Sequence, residues 1–437
     1  MKIENIRKRD GSLQDFSLEK IVSAVSKAFQ ETGEGSPEEA KRVAERVHEK
    51  TVAMCVQANT AEADSPQAGK CIDGLPAVEE IQDLVEQVLM ELDYYPTAKA
   101  YIIYRSKRKE MRERDIFQKR VNMKPYEYPE LVEYVDAVRH SYWIHTEFNY
   151  TSDIHDFRVN INDVEREALK KTMLAIAQIE VAVKTFWGNL YSKMPKPEVG
   201  AVGFTFAESE VRHMDAYAHL LEILGLNEEF KHLTHEPVIQ DRIAYLEKSI
   251  ALSKTGDNRE YTQSVLLFSL FIEHVSLFSQ FLIMMSFNKH KNLFKGISNA
   301  VEATSKEENI HGMFGTELIN IVRKEHPEWF DAETNELVQT MCREAYAAEE
   351  KVVDWIFEAG ELDFLSKETV KEFIKSRLNN SLKGIGMTPV FELNEALVEE
   401  TDWFDNEVIA TKHVDFFQKR SINYNKRSNS VTSADLF

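Results

Sequence analysis

The fold of this chain is decided by residues 264–287, SVLLFSLFIEHVSLFSQFLIMMSF. The stretch is apolar on nearly every side, so a helix formed from it is expected to be buried all round. Glu273, near its middle, is the only carboxylate that it contains. Burying a lone carboxylate is costly unless a cation pairs with it. The sequence therefore predicts a buried helix and, beside Glu273, a cation.

The same pattern occurs at residues 171–187, KTMLAIAQIEVAVKTFW, where Glu180 is the single carboxylate of an apolar run. Two other stretches, FAESEVRHMDAYAHLLEIL and SKEENIHGMFGTELINIV, each contain Glu-x-x-His, whose two side chains share one face of a helix. The gaps of 30 residues from Glu180 to Glu210 and 35 from Glu273 to Glu308 each fit a long helix and a turn. The candidate ligands, in chain order, are Glu180, Glu210, His213, Glu273, Glu308 and His311.

These residues match a known set of metal ligands. One Glu from each of two helices, with Glu-x-x-His from each of two others, is typical of ferritin-like bundles that hold two iron or manganese ions. Glu-x-x-His alone is common. It also occurs at Glu45 with His48 and at Glu229 with His232, in polar segments expected on the surface. The alternating order and the apolar surroundings favour a dinuclear site at the six candidates.

The composition of the chain restricts its class. Its 437 residues suffice for two or three domains, and 43% hydrophobic residues allow a sizeable core. The net charge of -20 argues against nucleic acid or an anionic membrane as a partner. Three cysteines, Cys55, Cys71 and Cys342, are too few and too scattered to predict a disulfide framework or a Cys-rich zinc site. A reducing, cytoplasmic location is therefore expected.

Residues 264–287 are also long enough to span a bilayer. Glu273, His274, Gln280 and several serines lie inside this stretch, and a basic flank is missing on one side. Polar groups inside a membrane span would need a functional explanation of their own. The N-terminus, MKIENIRKRDG, has no apolar segment typical of a signal peptide. A core helix is predicted rather than a membrane span.

Residues 1–110 are predicted to form a separate small α+β domain. Alternating residues before Asp10-Gly11 indicate a strand, followed by a turn and a short second strand. Residues 55–75 are polar and small, which indicates a long surface loop. Four helices are expected here. The first begins at Leu18 with Ser17 as its N-cap, and the second runs from Pro37 to Val52 with Ser36 as its N-cap. The third covers 77–92, and the fourth begins at Pro96.

Residues 111–415 are predicted to form a mainly α-helical bundle. Residues 416–437 are polar and low in apolar content until their end, which indicates a flexible tail. The long helices of the bundle are expected at 163–193, 201–224, 237–254, 260–287, 295–324, 333–358 and 366–378, with turns such as the one at Gly225.

Four blocks of the N-terminal domain resemble the ATP-cone, a small regulatory adenine-nucleotide domain found in ribonucleotide reductases. The blocks are KRDG at 8–11, FSLEKI at 16–21, VEEIQDLVEQVLM at 78–90 and AKAYIIYRSKR at 98–108. The resemblance implies that Lys8, Arg9 and Lys20 contact the phosphates of ATP or dATP, with Arg105 as a further candidate. A Walker A pattern is missing from the sequence, so phosphate hydrolysis is not expected.

Together with the ligand pattern, residues from about 140 to the C-terminus resemble the small, radical-generating subunit of class I ribonucleotide reductases. The resemblance implies that the six ligands hold two metal ions. It also implies that a radical equivalent passes to a large subunit, which reduces ribonucleotides to deoxyribonucleotides. A homodimer is implied, with higher oligomers on dATP binding. The resemblance assigns Tyr217 as the radical tyrosine and Trp143 as the electron relay, and it places Glu307 where the family has an aspartate that links this relay to a ligand histidine. It assigns Tyr424 as the tyrosine that passes the radical between subunits. The last two residues, Leu436 and Phe437, are assigned as the anchor on the large subunit.

The first ligand bears on the identity of the metal. Many members of this family have aspartate at the position of Glu180, and glutamate there goes with manganese-containing variants. Two Mn ions are therefore expected, with two Fe ions or a mixed Mn/Fe pair as alternatives. Mn and Fe accept the same ligands, and Tyr217 leaves open whether the radical resides on a tyrosine or on the metals.

Two other functions stay open at this point. A stand-alone ferritin-like oxidase or an iron store would explain the ligand pattern, but not the N-terminal domain or Tyr424. A nucleotide-dependent assembly module with a purely structural bundle would need Lys or Arg beside the buried carboxylates. Lys171 and Lys184, which flank Glu180, are the candidates for that pairing.

Overall fold

The computed structural model describes residues 3–8, 12–60, 71–72, 74–120, 122–180 and 184–410. The chain divides into two compact units, Met1–Arg114 and Asp115–Phe437. The first unit combines short strands with four helices, and the second is a bundle of helices. The predicted fold class is confirmed.

Two short hairpins form the β part of the first unit. Strands β1 (Asn5–Arg7) and β2 (Leu13–Asp15) pair antiparallel, as the alternation predicted. The turn at Asp10-Gly11 lies outside the described residues. Strands β3 (Cys71–Ile72) and β4 (Leu75–Pro76) form the second hairpin. A parallel bridge from the last residue of β1 to Ala77 joins the two hairpins.

Four helices complete this unit: α1 (Leu18–Thr32), α2 (Pro37–Thr60), α3 (Val78–Glu91) and α4 (Tyr95–Glu113). Ser36 caps α2 as predicted. Its Oγ accepts from the Glu39 N–H at 3.3 Å, and Glu39 Oε2 accepts from the Ser36 N–H at 2.7 Å. Ser17 occupies the N-cap position of α1, but its side chain makes no capping hydrogen bond.

Helix α2 continues well past Val52, so the prediction of a loop that begins at residue 55 is wrong. The additional turns bury Cys55 and Ala58 in a small apolar cluster with Ile3 and Cys71. Burial against residues distant in sequence stabilises these turns, and local composition does not reveal such contacts.

Cys55 and Cys71 form a disulfide, which the cysteine count did not predict. Their Cα atoms lie 5.1 Å apart, because the extended α2 carries Cys55 to β3. Cys342 is a free, buried thiol, and burial raises its pKa to about 12. The pairing removes the argument from cysteine content for a reducing compartment.

The described helices of the second unit share one bundle. They are α5 (Val132–His140), α6 (Thr151–His155), α7 (Asp163–Glu180), α8 (Lys184–Gly188), α9 (Leu190–Lys193), α10 (Pro197–Leu224), α11 (Asn227–His232), α12 (Pro237–Ala251), α13 (Asn258–Leu267), α14 (Phe278–Lys291), α15 (Lys295–Glu325), α16 (Ala332–Ile356), α17 (Lys367–Gly384), α18 (Glu395–Glu399) and α19 (Asp402–Asp405). Segments of π-helix cover Asp156–Asn160, Phe268–Ser276 and Asn406–Ala410.

The centre of the bundle is one continuous helical run, Asn258–Lys291, in which the π segment Phe268–Ser276 (the central π segment) joins α13 to α14. This run is long and apolar enough to cross a membrane, but 94% of its most apolar window is buried inside the bundle. At Gly315 of α15 a Cβ would collide with Ser269, so the missing side chain allows α15 to approach closely. The prediction of a helix buried all round is confirmed.

The predicted single helix at 163–193 is wrong. Helix α7 is described as far as Glu180, residues 181–183 lie outside the described part of the chain, and a turn at Asn189 separates α8 from α9. Gly188 is the last residue of α8 and Asn189 lies between α8 and α9, and both are weak helix formers. The turn predicted at Gly225 is confirmed, because this glycine ends α10 with a left-handed φ of 78°.

Candidate metal centre

Four neighbouring elements of the bundle each contribute part of one buried cluster. Helix α7 brings Glu180, the last of its described residues, and the central π segment brings Glu273. Helices α10 and α15 bring the two Glu-x-x-His pairs. All six side chains are at most 1% exposed. A π segment places one more residue in each turn than an α-helix does, and such segments are frequent at functional sites.

The ligand atoms form two groups with one member in common. Atoms of Glu210, Glu273, Glu308 and His311 lie within 4.8 Å of one another, and so do atoms of Glu180, His213 and Glu308. A carboxylate that belongs to both groups can bridge two adjacent cations. All six predicted ligands are therefore brought together, in an arrangement that suits two ions.

The shortest distances run from imidazole nitrogen to carboxylate oxygen. His213 Nδ1 is 2.9 Å from Glu308 Oε1 and 3.5 Å from Glu210 Oε2. His311 Nδ1 is 3.0 Å from Glu210 Oε1, 3.2 Å from Glu273 Oε2 and 3.3 Å from Glu308 Oε2. Both rings thus direct the same nitrogen into the centre of the cluster.

The charge balance of the cluster calls for cations. Both carboxylate oxygens of Glu180 are buried without a hydrogen-bond partner among the described residues, and the oxygens of Glu210 and Glu308 face the two ligand imidazoles. Lys171 does not supply the missing charge, because its Nζ binds Glu358 at 2.6 Å and the Trp355 carbonyl at 2.9 Å. The side chain of Lys184 lies outside the described part of the chain. Two divalent ions fit this donor set, since oxygen and imidazole donors suit Mn and Fe.

The pKa values of the cluster reflect the same shortage of positive charge. Burial raises the pKa of Glu180 and of Glu273 well above the ordinary value. Burial alone would lower the pKa of both histidines. For His213, hydrogen bonds to Glu210 and Glu307 outweigh the effect of burial, so its pKa is raised. For His311, the negative charge of Glu308 outweighs the effect of burial, so its pKa is raised as well. Metal ions bound by these ligands would displace such protons.

Groups around the ligands fix their orientation. Trp187 Nε1 donates to Glu273 Oε1 at 3.1 Å, and Ser209 Oγ lies 3.1 Å from His311 Nε2. Such outer contacts orient metal ligands and tune their basicity. Sequence reasoning did not select Trp187 or Ser209. Trp187 could have been selected, because it lies in the same apolar stretch as Glu180.

Tyr217 lies one turn after His213 on α10 and is 1% exposed. Its pKa is raised, first by burial and then by the charge of Glu180. The phenol thus stays protonated beside the cluster and within the influence of one of its carboxylates.

Trp143 packs against His213. The two rings stack with centroids 5.9 Å apart and an interplanar angle of 19°. Glu307 Oε2 is 2.8 Å from His213 Nε2, so Glu307 contacts the ligand histidine. The Trp143 Nε1 has no hydrogen-bond partner among the described residues. The tryptophan also borders a cavity of about 410 Å³ that Phe148 and Val408 help to line.

The candidate nucleotide residues of the first unit lie on different elements. Lys8 follows β1 and Lys20 lies on α1, and both are exposed. Arg105 on α4 pairs with Asp83 and, at 2.8 Å, with Glu86, so carboxylates already surround its guanidinium. Arg9 and Tyr424 lie outside the described residues.

The surplus Glu-x-x-His motifs behave as predicted. Glu45, Glu229 and His232 are exposed. His48 is partly buried, and its ring contacts that of Phe16 at 5.1 Å between centroids. Neither motif belongs to a group of potential metal ligands among the described residues.

A ferritin-like bundle with this ligand cluster, attached to a small α+β domain, defines the class of protein. The sequence model of the family described as "Ribonucleotide reductase, small chain" matches residues 120–397, and that of the "ATP cone domain" matches residues 4–110. The first match covers more than half of the chain. The chain belongs to the ribonucleotide reductase small-chain family.

Relatives in sequence are named as ribonucleoside-diphosphate reductases or their subunits. A probable ribonucleoside-diphosphate reductase small subunit of Invertebrate iridescent virus 3 is 25% identical over 324 residues, 71% of this chain and 85% of that protein. The ribonucleoside-diphosphate reductase subunit beta of Treponema pallidum is 22% identical, over 71% of this chain and 88% of that one. The vitamin B12-dependent ribonucleoside-diphosphate reductase of Thermoplasma acidophilum is 34% identical over 116 residues, 25% of this chain and 13% of that protein.

Solved structures share the fold. The ribonucleotide reductase R2 subunit from Clostridium botulinum has a TM-score of 0.60 at 17% identity and covers 64% of this chain and 89% of its own. The dimanganese(II) NrdF of Streptococcus sanguinis has a TM-score of 0.56 at 17% identity, over 67% of this chain and 100% of its own. An R2-like ligand-binding oxidase with a Mn/Fe cofactor has a TM-score of 0.51 at 18% identity, over 60% and 94%.

Proposed function

We propose that this chain is the radical-generating small subunit of a ribonucleoside-diphosphate reductase, in which two metal ions bound by the six ligands store the oxidising equivalent. The observation that carries this proposal is the pair of buried ligand groups that share Glu308. When bound, the metals supply one-electron oxidising power. We expect two Mn ions, because the first ligand is Glu180, with two Fe or a mixed Mn/Fe pair as alternatives.

The residues of this chain hold the centre and protect it. The contact of His213 Nε2 with Glu307 leaves Nδ1 to face the centre, and the contact of His311 Nε2 with Ser209 does the same for the second histidine. The N–H of Trp187 fixes one oxygen of Glu273, so the other faces His311. Buried aromatic rings surround these groups and exclude water, which preserves a reactive oxidant.

Trp143 and then Tyr424 would relay the oxidising equivalent that the loaded centre supplies to a large subunit, where ribonucleotides are reduced. Trp143 suits this role because its ring stacks on a ligand histidine and also borders a cavity. Tyr217 provides an alternative site for the radical. We further propose a homodimer, consistent with the Rnr4 homodimer of Saccharomyces cerevisiae, which shares the fold at a TM-score of 0.52, 16% identity and 69% coverage of this chain.

The activity assay uses the full chain with the large subunit of the same organism and measures deoxyribonucleotide formation. We expect activity from the wild type, and a loss of about a hundredfold or more from Trp143→Phe with the metal content unchanged, because the transfer step loses its relay. Arg343→Met, an exposed arginine on α16, is the control. Full activity of Trp143→Phe would contradict the transfer route.

The ATP-cone is proposed to regulate activity through ATP or dATP, which changes the oligomeric state. Lys8 and Lys20 are exposed and suit a phosphate ligand. The experiment compares dATP binding and dATP-induced oligomer mass for the wild type, Lys20→Ala and the control Lys99→Ala on α4. We expect weaker binding only for Lys20→Ala. Equal binding by all three proteins would remove Lys20 from the nucleotide site.

A stand-alone oxidase is the second candidate, and the likeness to the R2-like ligand-binding oxidase favours it. Deletion of the chain after Phe416 distinguishes the two functions. The shortened protein should keep its metals but lose reductase activity with the large subunit. If it kept reductase activity, Tyr424 would not be part of the route.

A further inference from the structure

Arg212 is a buried cation beside Trp143 that the proposed transfer route does not yet use. It is the residue before His213 on α10 and is 6% exposed. Its guanidinium has three partners. Nε donates to Glu208 at 3.0 Å, one terminal nitrogen donates to the Trp143 carbonyl at 3.0 Å, and both terminal nitrogens donate to the Glu307 carboxylate at 3.2 Å.

This arrangement connects three parts of the bundle through one rigid group. A guanidinium is planar and presents its donors in a fixed fork, so partners that bind it together cannot move independently. The fork joins α10 to α15, which carries Glu307, and to the connection after α5, which carries Trp143. The ring of Tyr142 lies 4.5 Å from the guanidinium carbon and covers its outer face.

The contact with Arg212 is one of a small number of described contacts that Trp143 makes. Residues 141–144 belong to no helix or strand, so no ladder of backbone hydrogen bonds holds them. The indole N–H has no hydrogen-bond partner among the described residues. What holds the residue is packing of its ring against His213 and Phe148, together with the bond from Arg212 to its carbonyl.

We propose that Arg212 is a positioning residue for radical transfer, which holds Trp143 against His213 by fixing the Trp143 backbone and the Glu307 carboxylate in one arrangement. This inference rests on the proposed role of Trp143. Arg212 touches neither the ligand cluster nor a substrate, and it acts through Trp143 and Glu307. A purely structural role, in which Arg212 only neutralises the buried Glu307, makes different predictions.

The test uses three variants of the full-length protein. Arg212→Met leaves Glu307 buried without its cation, so this variant alone could fail to fold. Arg212→Met with Glu307→Gln removes both charges and avoids that problem. Arg212→Lys keeps the charge but replaces the fork with a single ammonium group, which cannot hold all three partners at once. Arg343→Met is the matched arginine control on an exposed face of α16.

Three quantities are measured for each variant: metal content, quenching of Trp143 fluorescence by acrylamide, and reductase activity with the large subunit. The Trp143 signal is obtained by subtracting the spectrum of the same protein carrying Trp143→Phe. For the double variant and for Arg212→Lys we expect wild-type metal content, stronger quenching of Trp143, and activity lower by about tenfold or more, since small displacements of reacting groups have large effects on rate.

Several results would overturn the inference. Wild-type quenching and activity in Arg212→Lys would mean that a positive charge alone is enough to hold Trp143. Wild-type quenching and activity in the double variant would mean that Arg212 does not position Trp143. Loss of metal from Arg212→Lys, which leaves Glu307 intact, would assign Arg212 to the support of the ligand cluster instead. If Trp143→Phe itself were fully active, the transfer route would fail, but the quenching data would still decide whether Arg212 holds Trp143.

Discussion

Arg242 and Glu349 form a fully buried ion pair beside the ligand helices, and its removal gives a quantitative test of how the bundle is held. Arg242 Nε lies 3.0 Å from Glu349 Oε1, and both side chains are 0% exposed. The same guanidinium donates to the Ala175 carbonyl of α7 at 2.8 Å and to the Ser276 carbonyl of the central π segment at 2.6 Å. One cation therefore ties the helix of Glu180 to the segment of Glu273.

The perturbation is Arg242→Met, which leaves the Glu349 carboxylate buried without its cation. Breaking a buried ion pair in this way costs about 3–5 kcal/mol. Unfolding entropy is about 2.1 cal/mol/K per residue, so for a unit of roughly 300 residues each kcal/mol lowers Tm by about 1.6 °C. The expected fall in Tm is about 5–8 °C. Metal content should also fall, because two ligand-bearing elements lose their common anchor.

The assay is thermal unfolding of the metal-free protein, followed by circular dichroism, with metal content measured on a second sample. Arg242→Met with Glu349→Met is the matched variant. It should recover most of the lost Tm, because an apolar pair replaces the buried charges. A Tm for Arg242→Met within about 1 °C of the wild type would refute the reasoning, since the smallest expected loss of 3 kcal/mol is several times larger.

Three further predictions concern packing, the disulfide and pH. Gly315→Ala should destabilise the protein by about 1–3 kcal/mol in denaturant unfolding, because the added Cβ would collide with the central π segment. Gly188→Ala is the control and should be tolerated, because the nearest atom to its added Cβ lies 3.7 Å away. Cys55→Ser with Cys71→Ser should destabilise the N-terminal unit by about 3 kcal/mol, because the bond closes a separation of 16 residues; unchanged stability would contradict this. The raised pKa values of the ligand histidines stabilise the metal-free protein at low pH, so its Tm should fall as pH rises from 6 to 8. The metal-loaded protein should not show this fall, because metals replace the protons.

The ligand cluster was predictable from sequence because two of its members are carboxylates placed where an apolar side chain is expected. A single carboxylate in a long apolar run, as at Glu180 and Glu273, has no role in a hydrophobic core and so indicates a partner. The two Glu-x-x-His pairs became informative only in alternation with these residues. The helix at the centre of the bundle was predictable for a similar reason, since uniform apolarity indicates burial on all sides.

Other features depend on contacts that sequence patterns do not encode. The π segment around Glu273 differs from an α-helix by its hydrogen bonding, and an apolar run suits either form. The disulfide needed the extension of α2, which tertiary burial of Cys55 stabilises. The roles of Arg212 and Arg242 could not be predicted from sequence, because both resemble ordinary surface arginines. Most of their partners lie far away along the chain and are brought close only by folding.

The most direct test of the dinuclear centre is element-resolved metal content of the purified full-length protein after exposure to both Mn and Fe, with Glu210→Ala as the comparison. We predict about two metal ions per chain in the wild type and a clear loss in the variant, because two ligand groups are present and Glu210 belongs to one of them. Two Mn would support storage of the oxidising equivalent on the metals, and two Fe would favour a radical on Tyr217. No bound transition metal in the wild type would contradict the proposal that the buried glutamates and histidines form a metal centre.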